Sequence, residues 1–349
     1  MTATTTTAAT QARRGAPRLS ALLASEWTRA LSRRSVRWLV LLGVVAVVGI
    51  GALLLLTTAR VSPGDLDRAA AQYLAEQQMY YDDCVSSAGQ AANLEEICYR
   101  PSEEDARANA LWMLDRRPFD DSSMSGLVGF AGGLGAVICL MLGATSGGAD
   151  WGARTMGLLL SWEPRRLRVL LVRLSVVVVL ALVAQALLVA VGVGIGAAIA
   201  AVHGMDPALS QVVDPMASAP VDLGDAAGFA VRWLAVGLLA GAAGYGVAMA
   251  TRSTGWALGA SAGFMLVVES LVQALWPWGS QWLVQTNTFA WLQGGLEVTV
   301  RRVAASGGPY DALPGTIWLS EGRALATLGA MVLAVLVVAG ILLRTRDVD

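Results

Sequence analysis

Few side chains in this 349-residue chain could do chemistry, and most of them lie in the wrong surroundings for it. Ser261 sits in Gly259-Ala260-Ser261-Ala262-Gly263, which fits the glycine-flanked pattern of a nucleophile elbow. An elbow needs a strand-to-helix turn and a general base. Ser261 lies in a helical apolar run instead, and the single histidine, His203, falls at the far end of a different run. Small-residue packing explains the pattern better than catalysis. No histidine, cysteine and carboxylate cluster has metal-ligand spacing, so no metal site is expected. All 25 basic residues are arginine. A Walker phosphate loop needs a lysine to reach the phosphates, so this chain carries no such loop and binds no cofactor of its own on this reading.

Two charges lie inside apolar runs, Arg232 and Glu269, each six residues from the end expected to face outward. At 1.5 Å per residue both sit about 9 Å deep. Ionisable groups are costly in hydrocarbon and tend to pair, so the two are expected to form an intramembrane charge pair or to face one polar cavity.

These residues hang on a hydrophobic frame. The chain is 55% hydrophobic and 15% charged, outside the range of ordinary soluble domains. A hydrocarbon core of about 30 Å needs about 20 helical residues. Six segments meet that length: Trp38 to Thr57, Met124 to Ser146, Leu174 to Ala201, Ala226 to Ala250, Gly255 to Leu275 and Ala324 to Leu343. The expected fold is therefore an all-α polytopic membrane protein with six transmembrane helices. Six spans place both termini on one side, and the arginine bias says which. Residues 1–37 carry seven arginines against one acid and 147–173 carry five against two, whereas 60–122 carry thirteen acids against six arginines and 202–225 carry four acids and no arginine. Both termini and the 147–173 loop are expected in the cytoplasm, at the inner cell membrane. No cleavable signal pattern precedes Trp38, so the first span is expected to act as its own membrane signal.

Between and around the spans the pattern changes. Residues 1–17, rich in Thr and Ala, read as a disordered tail. Over 18–37, Leu19, Leu22, Leu23, Trp27, Ala30 and Leu31 recur at helical spacing while Arg18, Arg29 and Arg33 fall elsewhere, the mark of an amphipathic helix lying in the interface with membrane lipid. The 60–122 loop is long enough for an extracellular helical cap, with helices expected at 69–79 and 102–114. Cys84 and Cys98 lie there, on the oxidising side, and are expected to form a disulfide worth roughly 3 kcal/mol. Cys139, inside the second span, reads as core packing. Trp276, Trp278, Trp282 and Trp291 mark 276–300 as an outer-interface segment with room for two short helices, and 301–322 as an exposed loop. Glycines four residues apart (Gly129 and Gly133, Gly143 and Gly147, Gly237 and Gly241, and Gly255, Gly259 and Gly263) suit close helix packing or a dimer face.

The segment from Gly147 to Arg173 is a compact basic hinge between the second and third spans. It contains Asp150-Trp151, Thr155-Met156, Leu158 to Leu160 and Trp162-Glu163-Pro164-Arg165-Arg166-Leu167-Arg168. This segment resembles the loop between spans two and three in the membrane permease subunits of type-2 ABC exporters, especially the actinobacterial branch. Ser25-Glu26-Trp27 through Arg33, Arg34, Ser35 and Trp38 resembles that family's N-terminal entry, and Arg344, Arg346, Asp347 and Val348 resemble its C-terminal ending. Two positions depart from the pattern: Asp150 stands where glutamate is common and Arg173 where lysine is common.

The resemblance implies a permease subunit without a nucleotide site, which exports a substrate across the cytoplasmic membrane. ATP and Mg would be used by a separate ABC ATP-binding subunit, present in two copies. A second permease subunit, as homo- or heterodimer, would complete the path, and no nucleic acid partner is implied. Glu26, Trp27, Asp150, Trp151, Thr155, Glu163, Arg165, Arg166 and Arg168 would dock the ATP-binding subunits or shape the cytoplasmic coupling loop. Two other readings compete: an ion-coupled secondary transporter using Glu269, and a non-transporting membrane scaffold built around the cap.

Overall fold

The structure is a computed structural model that describes residues 19–88, 97–157, 165–206, 219–301 and 314–345. The expected tail at 1–17, Leu158 to Leu160, Trp162 to Pro164 with Glu163, and Arg346 to Val348 lie outside the described residues.

Six helices are long and apolar enough to cross a membrane, as in an α-helical multi-pass membrane protein. In chain order the elements begin with α1 (Leu19–Ser32) and α2 (Arg34–Thr57), the first span. The continuous 18–37 segment expected from the periodicity breaks at Arg33, where a new helix starts. Next come α3 (Pro63–Ala88), α4 (Glu103–Asn109) with a 3-10 turn over Ala110–Met113, and the second span, α5 (Asp121–Gly152). The third and fourth spans are α6 (Arg166–His203) and α7 (Leu223–Thr251). The fifth is composite: α8 (Thr254–Gly263), a π turn over Phe264–Val268 and α9 (Glu269–Leu275). A 3-10 turn (Pro277–Trp282) and α10 (Val284–Gln293) follow, then strands β1 (Gly295–Arg301) and β2 (Pro314–Ser320), and finally the sixth span, α11 (Glu321–Thr345). Every span extends beyond the apolar run that marked it at one or both ends, the first and fifth at the N-terminal end only.

β1 and β2 form an antiparallel hairpin in the register Gly295↔Ser320 to Arg301↔Pro314. The 301–322 segment, expected to be an exposed loop, therefore holds a strand at 314–320. The alternation Leu296, Val298 against Glu297, Thr299 is the period-two pattern of a half-buried strand. Val298 and Leu319 pack with Ala290 of α10 and Ala324 of α11.

By contact the chain divides into two compact units. One comprises Met1–Gly43, Gly132–Leu187 and Arg232–Asp349, and the other Val44–Ala131 and Leu188–Val231. The second unit contains the segment between the first two spans. Its α3 starts with Pro63 at the first helical position, where the missing N–H costs nothing. Ser62 and Asp65 cap it reciprocally: Asp65 N donates to Ser62 Oγ at 3.3 Å and Ser62 N to Asp65 Oδ2 at 2.9 Å. Ser102 and Asp105 repeat this capping box at α4. Leu66, Ala69 and Ala70 of α3 pack on Ala106, Ala110 and Leu111, so the two capped helices share one small core. Cys84 and Cys98 are disulfide-bonded across a sequence separation of 14. His203, at the end of α6, accepts from Phe119 N through its carbonyl at 2.8 Å and lies 3.2 Å from Thr58 Oγ1 through Nδ1.

Candidate functional site

The first unit holds a buried ion network at one end of α5 and α6. Arg173 of α6 is nearly sealed from solvent, with 4% of its side chain exposed, and it ion-pairs with Asp150 near the end of α5. Its Nε also lies 3.4 Å from Glu26 Oε1 on α1. Arg33, in the break between α1 and α2, reaches Asp150 Oδ1 at 3.4 Å and donates from Nη1 to the Thr145 carbonyl at 2.9 Å. Arg29 closes the set, 3.6 Å from both Glu26 and Asp150. Burial lowers the Arg33 pKa from its ordinary value while the Asp150 charge works the other way; a guanidinium stays protonated through such shifts. Three arginines thus surround two carboxylates, tying α1 to the helices on both sides of the 153–165 loop.

The loop begins with a tight stop to α5. Thr155 N donates to the Asp150 carbonyl at 3.0 Å, and Thr155 Oγ1 donates to the same oxygen at 3.4 Å. Arg154 adopts φ 55°, a left-handed conformation that is strained for an arginine. Arg252, just past α7, adopts φ 56° and stacks its guanidinium 4.5 Å from the Trp151 ring. Trp151 Nε1 is buried without a hydrogen-bond partner among the described residues. Met156 is sealed against Leu170, Tyr245 and Leu343, which anchors the start of the loop. At the far side, Arg166 Nη1 donates to the Leu343 and Arg344 carbonyls at 2.8 and 3.3 Å. The structure therefore brings Glu26, Asp150 and Arg173 into contact. It places Thr155, Arg165, Arg166 and Arg168 around the loop, and leaves Trp27 half-buried on α1. Glu163 lies outside the described residues.

Arg232 and Glu269 do not pair. Glu269, 1% exposed, accepts from Val284 N at 2.7 Å through Oε1 and from Gln285 N at 3.1 Å through Oε2. Arg232 Nη1 donates to the Trp291 and Leu292 carbonyls at 2.9 and 3.3 Å, and Nη2 ion-pairs with Glu321 at 2.9 Å. The acid thus caps the N-terminus of α10 and the arginine caps its C-terminus. The two charges stand at opposite ends of one ten-residue helix, each complementing its dipole. The physical reason is local: the residue before α10 is Leu283, whose side chain cannot cap, so the orphan N–H groups take an acceptor from α9. Past the C-terminus, Gly294 (φ 78°) and Gly295 (φ 138°) take conformations that other residues resist, and a Cβ on Gly295 would strike the Trp318 ring.

Sequence reasoning missed Gln185, fully buried in the middle of α6. Its Nε2 donates to the Gly132 carbonyl at 3.0 Å, and Cys139 Sγ lies 3.6 Å from its Oε1. A lone glutamine in an apolar run was the available signal, and in the structure it packs against Gly135 and Gly237. Ser261 lies within the helix α8, not at a strand-to-helix turn. Among the described residues no group of three or more His, Cys, Asp and Glu side chains could hold a metal.

No family model and no curated protein sequence matches this chain. The family likeness therefore stands on the motifs of the loop, the N-terminal entry and the C-terminal ending alone.

Proposed function

We propose that the chain is the membrane-spanning permease subunit of an ABC transporter of the type-2 exporter kind, driven by ATP hydrolysis in a separate ATP-binding subunit present in two copies. The observation that carries this reading is the Glu26, Asp150 and Arg173 network. Buried charges tie α1 to α5 and α6, the two helices that the 153–165 loop joins, so a push that moves either of these helices is passed to all three. Such a linkage is what a permease needs to turn movement of a cytoplasmic ATPase into movement of spans. The proposed orientation puts the loop and both termini in the cytoplasm, by arginine bias, with the disulfide-bonded segment outside. A second permease subunit and the export direction follow from the family likeness.

Ion-coupled transport through Glu269 is the weaker reading, since both carboxylate oxygens already accept backbone N–H groups.

The test is co-expression with an ABC ATP-binding subunit, taking one encoded beside the gene where there is one, followed by co-purification and ATP turnover. Glu163→Ala with Arg165→Ala should abolish co-purification. Glu26→Gln should keep it but lower permease-dependent turnover, by roughly 5-fold or more if the network carries an ordinary coupling free energy. A correctly folded wild type that binds no such subunit would sink the proposal.

A further inference from the structure

Where α6 begins and α11 ends, Arg165, Arg166, Leu167 and Arg344 line an open pocket of about 330 Å³. Among the described residues, three of the four that line it are arginines and none is acidic. Arg166 is held in place by the terminal carbonyls of α11, while Arg165 and Arg344 stand exposed beside it. The planar donor forks of guanidinium groups match phosphate oxygens in pairs, so a phosphate is the anion this arrangement suits.

The surface next to the pocket narrows the choice of phosphate. The two helices touch there: a Cβ on Gly340 would lie 3.6 Å from Leu167 Cδ2. Moving along the same helices away from the charged end, their outward positions are apolar and open, with Leu171 58% and Ile341 54% exposed. Leu171 is one turn beyond Leu167, and Ile341 one turn before Arg344. The pocket is thus the polar end of an apolar strip on two helices long enough to span a membrane. Free phosphate would use only the pocket, whereas a phospholipid uses the pocket and the strip. Basic pockets between spanning helices suit anionic lipid head groups for this reason.

We propose that Arg165, Arg166 and Arg344 bind the phosphate of an anionic phospholipid whose acyl chain lies along Leu171 and Ile341. The site needs no ATP-binding partner and does not rest on the transporter reading.

The experiment is thermal unfolding of the purified full-length chain in neutral detergent, titrated separately with phosphatidylglycerol, phosphatidylcholine and inorganic phosphate. Phosphatidylglycerol should raise Tm saturably, and the other two should not. Arg165→Ala with Arg344→Ala should need about tenfold more phosphatidylglycerol or beyond for the same shift, while Arg165→Lys with Arg344→Lys should stay closer to wild type. Both side chains are exposed, so the lipid-free Tm of these variants should match wild type and report that they fold. If the alanine variant fails to fold, the lysine variant and the three wild-type titrations still decide. An equal shift from phosphatidylcholine, the same shift from inorganic phosphate alone, no shift from phosphatidylglycerol, or a folded alanine variant that binds it like wild type would each overturn the proposal.

Discussion

Arg173 is the residue on which the ion network depends, because it is the most buried of the five charges and touches both acids. Removing one partner of a buried pair leaves the others desolvated and unmatched, which costs about 3–5 kcal/mol, more than the intact pair contributes. Arg173→Met should therefore lower stability by about that amount, and Asp150→Asn added to it should cost far less than the sum of the two single changes. Thermal unfolding of the four members of the cycle in detergent reads this directly; additive effects would mean that the charges do not act as a unit. Glu269 makes a second case. Glu269→Gln keeps the shape but turns one acceptor into an N–H₂ donor facing the N–H of Val284 or Gln285. A loss of about 1–3 kcal/mol is expected from the buried donor left unpaired, with Trp fluorescence reporting the loosened α10. Sequence alone marked both Arg232 and Glu269 as charges that needed partners, and that physical demand is met. It paired them with each other because backbone groups are invisible to a count of side-chain charges. The readable clue lay elsewhere, in a helix beginning after Leu283 without a capping side chain.

At the scale of elements, the apolar runs were legible because about 20 consecutive hydrophobic residues have few other uses. The hairpin was not, since its strands are short, half polar and separated by residues 302–313, so no tight turn signal announces them. Helices α3 and α4 were foreseen in outline, and their caps carry a pH dependence. Asp65 is held below the ordinary carboxyl value, first by the Ser62 side chain and then by the Ser62 backbone. Asp105 is held below it by the Ser102 and Tyr99 side chains. For a carboxyl whose folded pKa is depressed, the stability is fully present above the unfolded value of 3.8 and is lost as pH falls through the lower folded value. Hydrogen exchange, corrected for its intrinsic pH dependence, should thus show constant protection in the first turns of α3 and α4 from neutral pH down to about 4. Protection should fall below that. Asp105→Asn should remove the acid-side loss at α4 and leave it at α3. Tyr99 adds an alkaline limb: its phenol, bonded to Asp105, is raised above 10.0, so that contact is lost as pH rises through the raised value.

For the molecule as a whole, the glycine stripes separate into two kinds that spacing could not tell apart. A Cβ on Gly143 would strike the Gly241 carbonyl, and one on Gly147 would lie 2.8 Å from the Tyr245 carbonyl, so these glycines are spent on packing α5 against α7 inside the chain. Among the described residues, a Cβ on Gly259 or Gly263 would meet no other part of the chain within 4 Å, and the composite fifth span that carries them is only 6% buried. Trp256 and Leu266 on the same span are about three-quarters exposed, at 74% and 73%. In the proposed transporter this span is the face expected to meet the second permease subunit, and the two kinds of glycine allow that to be tested apart from folding. Gly143→Leu should prevent the chain from folding. Gly259→Leu with Gly263→Leu should leave the lipid-free Tm of the isolated chain unchanged or slightly raised, since leucine is the better helix former by somewhat under 1 kcal/mol per site. If the stripe receives a second subunit, the same double change should convert the assembly to single chains, read by mass photometry or by loss of cross-linking between cysteines placed at Trp256. An assembly that survives both substitutions would move the subunit contact to another span.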